Sequence, residues 1–291
     1  MNIEMAYLVG MVLGNGEIQR GTATTTVTID IPHKTLYTVD KKEIPVYVKA
    51  SIVDIRSIIE PLIGHSLAVT ELPTSTKISF SKNNEEYVIR EIIRLINGGK
   101  HHSTMRMNPE LFHCTTDEKK ALLRGIADVT GYIRKSNCAY SNDSGEHRVY
   151  IEVPGNWDLV IDIANMLKDI DIPIQNIDFG HPNFRDPNLE DYNKGRVTVW
   201  KREHQIKIYA NEFLPIGFNI KHKQDGLEKY SEELLRHLSP DRTHRFYWEK
   251  STRHSSKPIH PEENSQFLPE KIRGKHYESW TDLARDLGYG E

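Results

Sequence analysis

Leu8 to Gly16 reads LVGMVLGNG, and Leu123 to Gly131 reads LRGIADVTG. Leu8 matches Leu123, Gly10 matches Gly125, and Gly16 matches Gly131, which stands 115 positions further on. Each copy follows a short helical run. Each leads through isoleucine into a polar, strand-like segment, Glu17-Ile18-Gln19-Arg20 or Tyr132-Ile133-Arg134-Lys135. Apolar helices that end in glycine are common, so one copy says little. Two copies in the same context, about one compact half-domain apart, read as an internal duplication.

Outward from the first copy, Thr24 to Ile31 alternates. Val27, Ile29 and Ile31 take one face, and Thr26, Thr28 and Asp30 the other. A hairpin-like return is expected around Pro45-Val46-Tyr47-Val48. Ser51 to Leu62 then carries Ile52, Ile55, Ile58, Ile59 and Leu62 at helical spacing. Strands at Ala68–Leu72 and Thr76–Ser81 and a helix at Glu85–Asn97, closed by Gly98-Gly99, complete an αββαββα order. The second half repeats it. Strands are expected near Tyr132–Tyr140 and His147–Val153, and a helix at about Trp157–Ile170. An irregular Asp/Asn/Pro-rich insertion follows at Asp171–Gly195, then a hairpin of Arg196–Trp200 with Gln205–Tyr209, and a helix from near Asp225 towards Leu238. The expected divisions are 1–100, a linker at 101–116, 117–238, and a C-terminal extension at 239–291. That extension begins as a Pro/His/Arg/Ser-rich arm and ends in a short capped helix at Ser279–Gly288.

The paired motif resembles the LAGLIDADG family, best known from homing endonucleases. The resemblance implies an α+β fold of two pseudo-symmetric αββαββα halves, a monomeric pseudo-dimer shaped as two adjoining antiparallel saddles. It places Gly10 and Gly125 where the motif helices pack closely, a use that outweighs the roughly 1 kcal/mol cost of a helical glycine. It also marks the residue before each terminal glycine as the catalytic acid that holds a divalent metal. Here those positions are Asn15 and Thr130, and neither is a carboxylate. Hard cations such as Mg²⁺ want anionic oxygen ligands. Glu17 and Asp128 lie nearby in sequence, but helix and strand geometry points them elsewhere.

The resemblance makes double-stranded DNA the expected partner, read by polar side chains on the outward sheet faces. The candidates in the first half are Gln19, Thr26, Thr28, Asp30, Lys77, Ser79 and Ser81. Those in the second are Arg134, Arg148, Arg196, Thr198, Trp200, Gln205, Lys207 and Tyr209, with Lys201 and Arg202 at a basic hairpin tip suited to phosphate. Polar alternation by itself marks only the wet face of an antiparallel sheet. Three classes compete: a DNA-binding protein that has lost cleavage, serving as a regulator or as the recognition component of a restriction system with a separate nuclease; an active Mg²⁺-dependent endonuclease; and an interaction module unrelated to DNA. Loss of both acids favours the first, for which no cofactor is required.

Composition is compatible with this reading. The 291 residues suffice for a sizeable core, and a formal net charge of −3 limits any nucleic-acid surface to a local patch. The two cysteines, Cys114 and Cys138, lack metal-ligand spacing and are expected as free thiols in a reducing cytoplasm. The fourteen histidines form no HxxxH or Cys-His pairing. No secretion signal and no membrane-spanning apolar run is expected.

Overall fold

The computed structural model describes residues 1–36, 44–97, 99–135, 147–181 and 203–237. It is an α+β structure, and its element order repeats. Helix α1 (Ile3–Asn15) leads into β1 (Gly16–Arg20) and β2 (Thr24–Pro32). Helix α2 (Ile44–Ile63), β3 (Ala68–Glu71), β4 (Ser75–Asn83) and α3 (Tyr87–Leu95) follow. A short β5/β6 pair (Ile96–Asn97, Arg106–Met107) and a 3-10 turn (Pro109–His113) lead to α4 (Thr116–Thr130). Then come β7 (Gly131–Lys135), β8 (His147–Pro154), α5 (Trp157–Asp169), β9 (Asn176–His181), β10 (Glu203–Tyr209), the short α6 (Ala210–Phe213) and α7 (Lys221–His237).

Two compact units divide the described residues. Of these residues, one unit comprises Met1–Ile151 and Ile208–His237; the other lies within Glu152–Lys207. In the first unit β1, β2, β4 and β3 form an antiparallel sheet in that order. The alternation in β2 turns Val27, Ile29 and Ile31 inward, where they are buried, and leaves Thr26, Thr28 and Asp30 half-buried on the opposite face. Helix α1 is started by the Asn2 side chain, which accepts from the Met5 amide at 2.8 Å. Helix α4 is started by a capping box of Thr115 and Glu118. In the second unit β9 and β10 pair antiparallel, and α5 buries Trp157, Leu159, Val160, Ile163 and Leu167.

Two expectations are corrected. Pro45–Val48 is not a strand but the first turn of α2. Its β-branched residues imitate a strand, yet proline is tolerated in a helix's first turn, and Val48 extends the buried stripe of Ile52, Ile55 and Ile59 by one turn. The expected loop after Asp171 contains β9, anchored by buried Ile174 and Ile177, and β9 is a partner of β10. Lys100 and the first residues of the expected linker run beside β1: the Ile18 amide donates to Lys100 O at 2.7 Å and the His102 amide to Gly16 O at 2.8 Å. Among the described residues Cys114 is a free thiol, and no helix is long and apolar enough to cross a membrane. The strand expected at Arg196–Trp200, Cys138 and the whole extension from Ser239 lie outside the described residues.

Candidate nucleic-acid interface

The motif helices α1 and α4 pack on each other through their glycines. A Cβ built on Gly10 would stand 2.0 Å from Leu122 O and 3.1 Å from the Ile126 amide nitrogen. One built on Gly125 would stand 2.1 Å from Tyr7 O and 3.0 Å from the Met11 amide nitrogen. The contacts are reciprocal: each glycine meets the residue three before, and the residue one after, the other glycine. That is the signature of an isologous, two-fold contact, here within one chain. Gly14 lies against Val129 and Thr130 further along, so the helices run in the same direction. Both end alike, with the Gly16 amide donating to Val12 O and the Gly131 amide to Ala127 O.

At the helix ends Asn15 and Thr130 occupy the expected acid positions, and both make hydrogen bonds to backbone carbonyls. Asn15 Nδ2 donates to Asp30 O at 2.6 Å, pinning α1 to β2. Thr130 Oγ1 donates to Ile126 O at 2.7 Å within its own helix. Asp128 is fully buried. Its Oδ2 accepts from the Tyr7 hydroxyl at 2.8 Å and from the Asn219 amide at 3.0 Å, and its Oδ1 faces Lys223 Nζ at 4.0 Å. Lys223 is equally buried and closes the end of α4, donating to Ala127 O at 2.9 Å, Asp128 O at 3.1 Å and Gly131 O at 2.7 Å. A cation there also complements the helix dipole.

Burial governs the charges of this cluster. It raises the Asp128 carboxyl above the usual range, against the pull of Lys223, and it lowers the Lys223 ammonium to about 8, against the pull of Asp128. Burial, with the Asp128 charge second, raises the Tyr7 phenol. Glu17 is half-buried and accepts from Gln19 Nε2 at 3.0 Å. Among the described residues no three His, Cys, Asp or Glu side chains are grouped to hold a metal ion. Of these groups the sequence points to Asp128 but not to Tyr7, Asn219 or Lys223. Nothing local marks Lys223, because the carbonyls to which its ammonium donates lie more than ninety residues away.

Each motif helix leads into a hairpin, and the two hairpins share one register. Gly16 faces Ile29, Glu17 faces Thr28, Ile18 faces Val27 and Gln19 faces Thr26. Likewise Gly131 faces Ile151, Tyr132 faces Tyr150, Ile133 faces Val149 and Arg134 faces Arg148. Gln19 is exposed, while Thr26, Thr28, Lys77, Arg134 and Arg148 are half-buried. Thr26 Oγ1 and Ser81 Oγ share a hydrogen bond of 2.7 Å, and Lys77 stands opposite Asp30. In the second hairpin Tyr132 and Tyr150 stack, with centroids 5.2 Å apart and planes 5° from parallel. The Arg134 guanidinium lies 4.7 Å from the Tyr150 centroid, and that of Arg148 lies 5.8 Å from the Tyr209 centroid. The two-residue period that selects the arginines also selects Tyr132 and Tyr150, two aromatic residues absent from the expected contact set.

Lys207 departs from expectation. It is buried, as is its strand neighbour Gln205, whose Nε2 donates to Glu152 Oε1 at 2.9 Å. Gln205, Ile206, Lys207 and Ile208 are all buried, so β10 is covered on both faces and its alternation does not mark an open surface. Arg196, Trp200, Lys201 and Arg202 lie outside the described residues.

No family model and no curated protein matches the chain. Among solved structures it is similar to the homing endonuclease I-DmoI in complex with DNA and manganese, at 12% identity over 77% of this chain and 97% of that one, with a TM-score of 0.38. It is also similar to the I-LtrWI LAGLIDADG homing endonuclease bound to target DNA, at 10% identity over 82% and 94% of the two chains, with a TM-score of 0.39. A third similarity is to full-length DUF199/WhiA from Thermatoga maritima, at 13% identity over 86% and 67%, with a TM-score of 0.42.

Proposed function

We propose that this chain is a sequence-specific double-stranded DNA-binding protein, a monomeric pseudo-dimer of LAGLIDADG type that does not cut. It serves as a regulator or as the recognition component of a restriction system whose nuclease is a separate partner. One observation carries the reading: two reciprocally packed motif helices each lead into a hairpin of the same register, with polar side chains on the face opposite buried Ile18 and Val27 or Ile133 and Val149. Gln19, Thr26, Thr28 and Lys77 furnish the first face, and Arg134 and Arg148 the second. Hydrogen-bonding side chains on such faces suit base edges in the major groove. Lys207, being buried, is left out of this contact set.

The helix ends support the non-cutting part. A Mg²⁺ held between them would need anionic oxygens, and the donor set there is an amide and a hydroxyl, each already donating to a carbonyl. Asp128 is engaged by Tyr7, Asn219 and Lys223, and is turned into the core. These residues do not fit the metal. Binding therefore proceeds without a cofactor.

The test is incubation of the purified chain with a pool of random duplexes, followed by sequencing of the retained molecules. The expected result is enrichment of one duplex motif. Retention of all sequences alike, or of none, rejects the reading.

A further inference from the structure

We propose that the cavity behind β1 binds a small amphiphilic anion, a molecule with an apolar body and one anionic head. The site lies on the face of β1 away from Gln19, so the inference stands apart from the duplex-binding reading.

The cavity measures about 230 Å³ and is lined by Ile18, Arg20, Ile93, Ile96, Gly99 and Lys100. Three short pieces of chain build it. Strand β1 brings Ile18 and Arg20, two positions apart and therefore on one face. The last turn of α3 brings Ile93, and β5 brings Ile96. Gly99 and Lys100 complete the wall, held beside β1 by the Ile18 amide, which donates to Lys100 O at 2.7 Å. A Cβ on Gly99 would stand 1.8 Å from Thr104 Oγ1, so the wall at that point is bare backbone.

The two halves differ here. At the start of β7, Gly131 O accepts from Lys223 of α7, the third helix of its half, at 2.7 Å. At the start of β1 the equivalent carbonyl, that of Gly16, accepts from the His102 amide at 2.8 Å. The third helix of the first half, α3, spans nine residues against seventeen in α7, and the cavity opens beside its end.

The lining names the ligand class. Ile18 and Ile96 are buried and Ile93 is half-buried, so the isoleucines form an apolar floor. Arg20 and Lys100 are exposed, and neither side chain has a hydrogen bond or ion pair among the described residues. No carboxylate lines the cavity. The floor favours a hydrocarbon body by taking it out of water. Two cations with no acid beside them favour a negative head and disfavour a positive one. The volume lies below the ~300–1,000 Å³ of sites for drug-sized ligands, so the molecule is small.

The experiment titrates the full chain with hexanoate, 1-hexanol and hexylammonium, which share one chain length and carry negative, neutral and positive heads. Binding is read from isoleucine δ1-methyl NMR signals, assigned at the cavity from Ile18→Val, Ile93→Val and Ile96→Val. Hexanoate should move these three signals saturably. It should bind about two- to 30-fold more tightly than 1-hexanol, with hexylammonium the weakest. In the Arg20→Gln, Lys100→Gln double variant that preference should vanish while the affinity for 1-hexanol stays. Unmoved signals from buried Ile55 and Ile59 show that this variant is folded. Equal affinity for the three molecules overturns the inference, as does a preference for hexanoate that survives in the double variant. So do shifts spread over isoleucines away from the cavity, such as Ile163, or the absence of any saturable shift.

Discussion

Gly10 and Gly125 hold the molecule together by having no side chain. Each brings its helix so close that a single methyl group would overlap the partner's backbone, at 2.0 Å from Leu122 O or 2.1 Å from Tyr7 O. Gly10→Ala and Gly125→Ala should therefore destabilise the chain in urea unfolding, although alanine is the better helix former by about 1 kcal/mol. Gly10→Leu should cost at least ~1–3 kcal/mol. Unchanged or raised stability in these variants contradicts the packed-helix account. Lys223 and Asp128 are the second residue-scale device. The Lys223 ammonium titrates at about 8 in the fold, because burial disfavours its charge. An unfolded lysine titrates near 10.4, so between these values the unfolded chain binds more protons. Stability relative to Lys223→Met should rise with pH across that window, by at most ~1.4 kcal/mol per pH unit, and be flat in this respect below pH 8. Above about pH 10 the raised Tyr7 phenol acts oppositely, since the unfolded tyrosine ionises first. Urea titrations of both chains at pH 7, 8, 9 and 10 measure the difference. A constant difference contradicts the burial of a titrating lysine.

Among the elements, α7 is tied to its neighbours by both ends of its first turn. The Lys221 amide donates to Asp54 Oδ2 of α2 at 2.8 Å, and Lys223 reaches the end of α4. Asp54 thus caps a helix distant in sequence, and Asp54→Ala should cost about 0.5–2 kcal/mol, as N-cap losses do. Thermal unfolding checks this, and a loss no larger than that of an exposed control on the same helix such as Lys49→Ala rejects it. Elements with a clear period are legible in the amino-acid sequence alone. The motif helices, the Thr24–Ile31 strand and the isoleucine stripe of α2 all lie where their patterns put them. Others are hidden by composition. The first turn of α2 is written in strand-forming valines, and β9 carries Asn176, Asp178 and Gly180, which read as loop. The open face inferred for β10 fails for another reason. Periodicity reports which residues alternate, and says nothing about whether a second layer covers the outer face.

For the whole molecule, a net charge of −3 means that no global field draws the chain to a polyanion. The proposed duplex binding must come from a local face, and its salt dependence should count the phosphates neutralised there, at a slope of about −0.9 per phosphate. If Lys77 is one such contact, Lys77→Ala should weaken all duplexes alike and flatten the slope by about 1, as measured by binding titrations across a salt series. An unchanged slope removes Lys77 from the interface. The candidate site is only partly legible in the sequence. The paired glycines and the substituted acids can be read from nine-residue stretches. The cluster of Tyr7, Asp128, Asn219 and Lys223 joins residues up to 216 positions apart, and only the fold assembles it. The central claim, specific binding without cleavage, is met most directly by one measurement: incubating the purified chain with random duplexes in Mg²⁺, then sequencing both the retained molecules and their ends. The account predicts an enriched motif carried entirely on intact duplexes. An enriched motif recovered with new double-strand ends, abolished by EDTA, would contradict it and make Glu17 and Asp128 the first residues to replace.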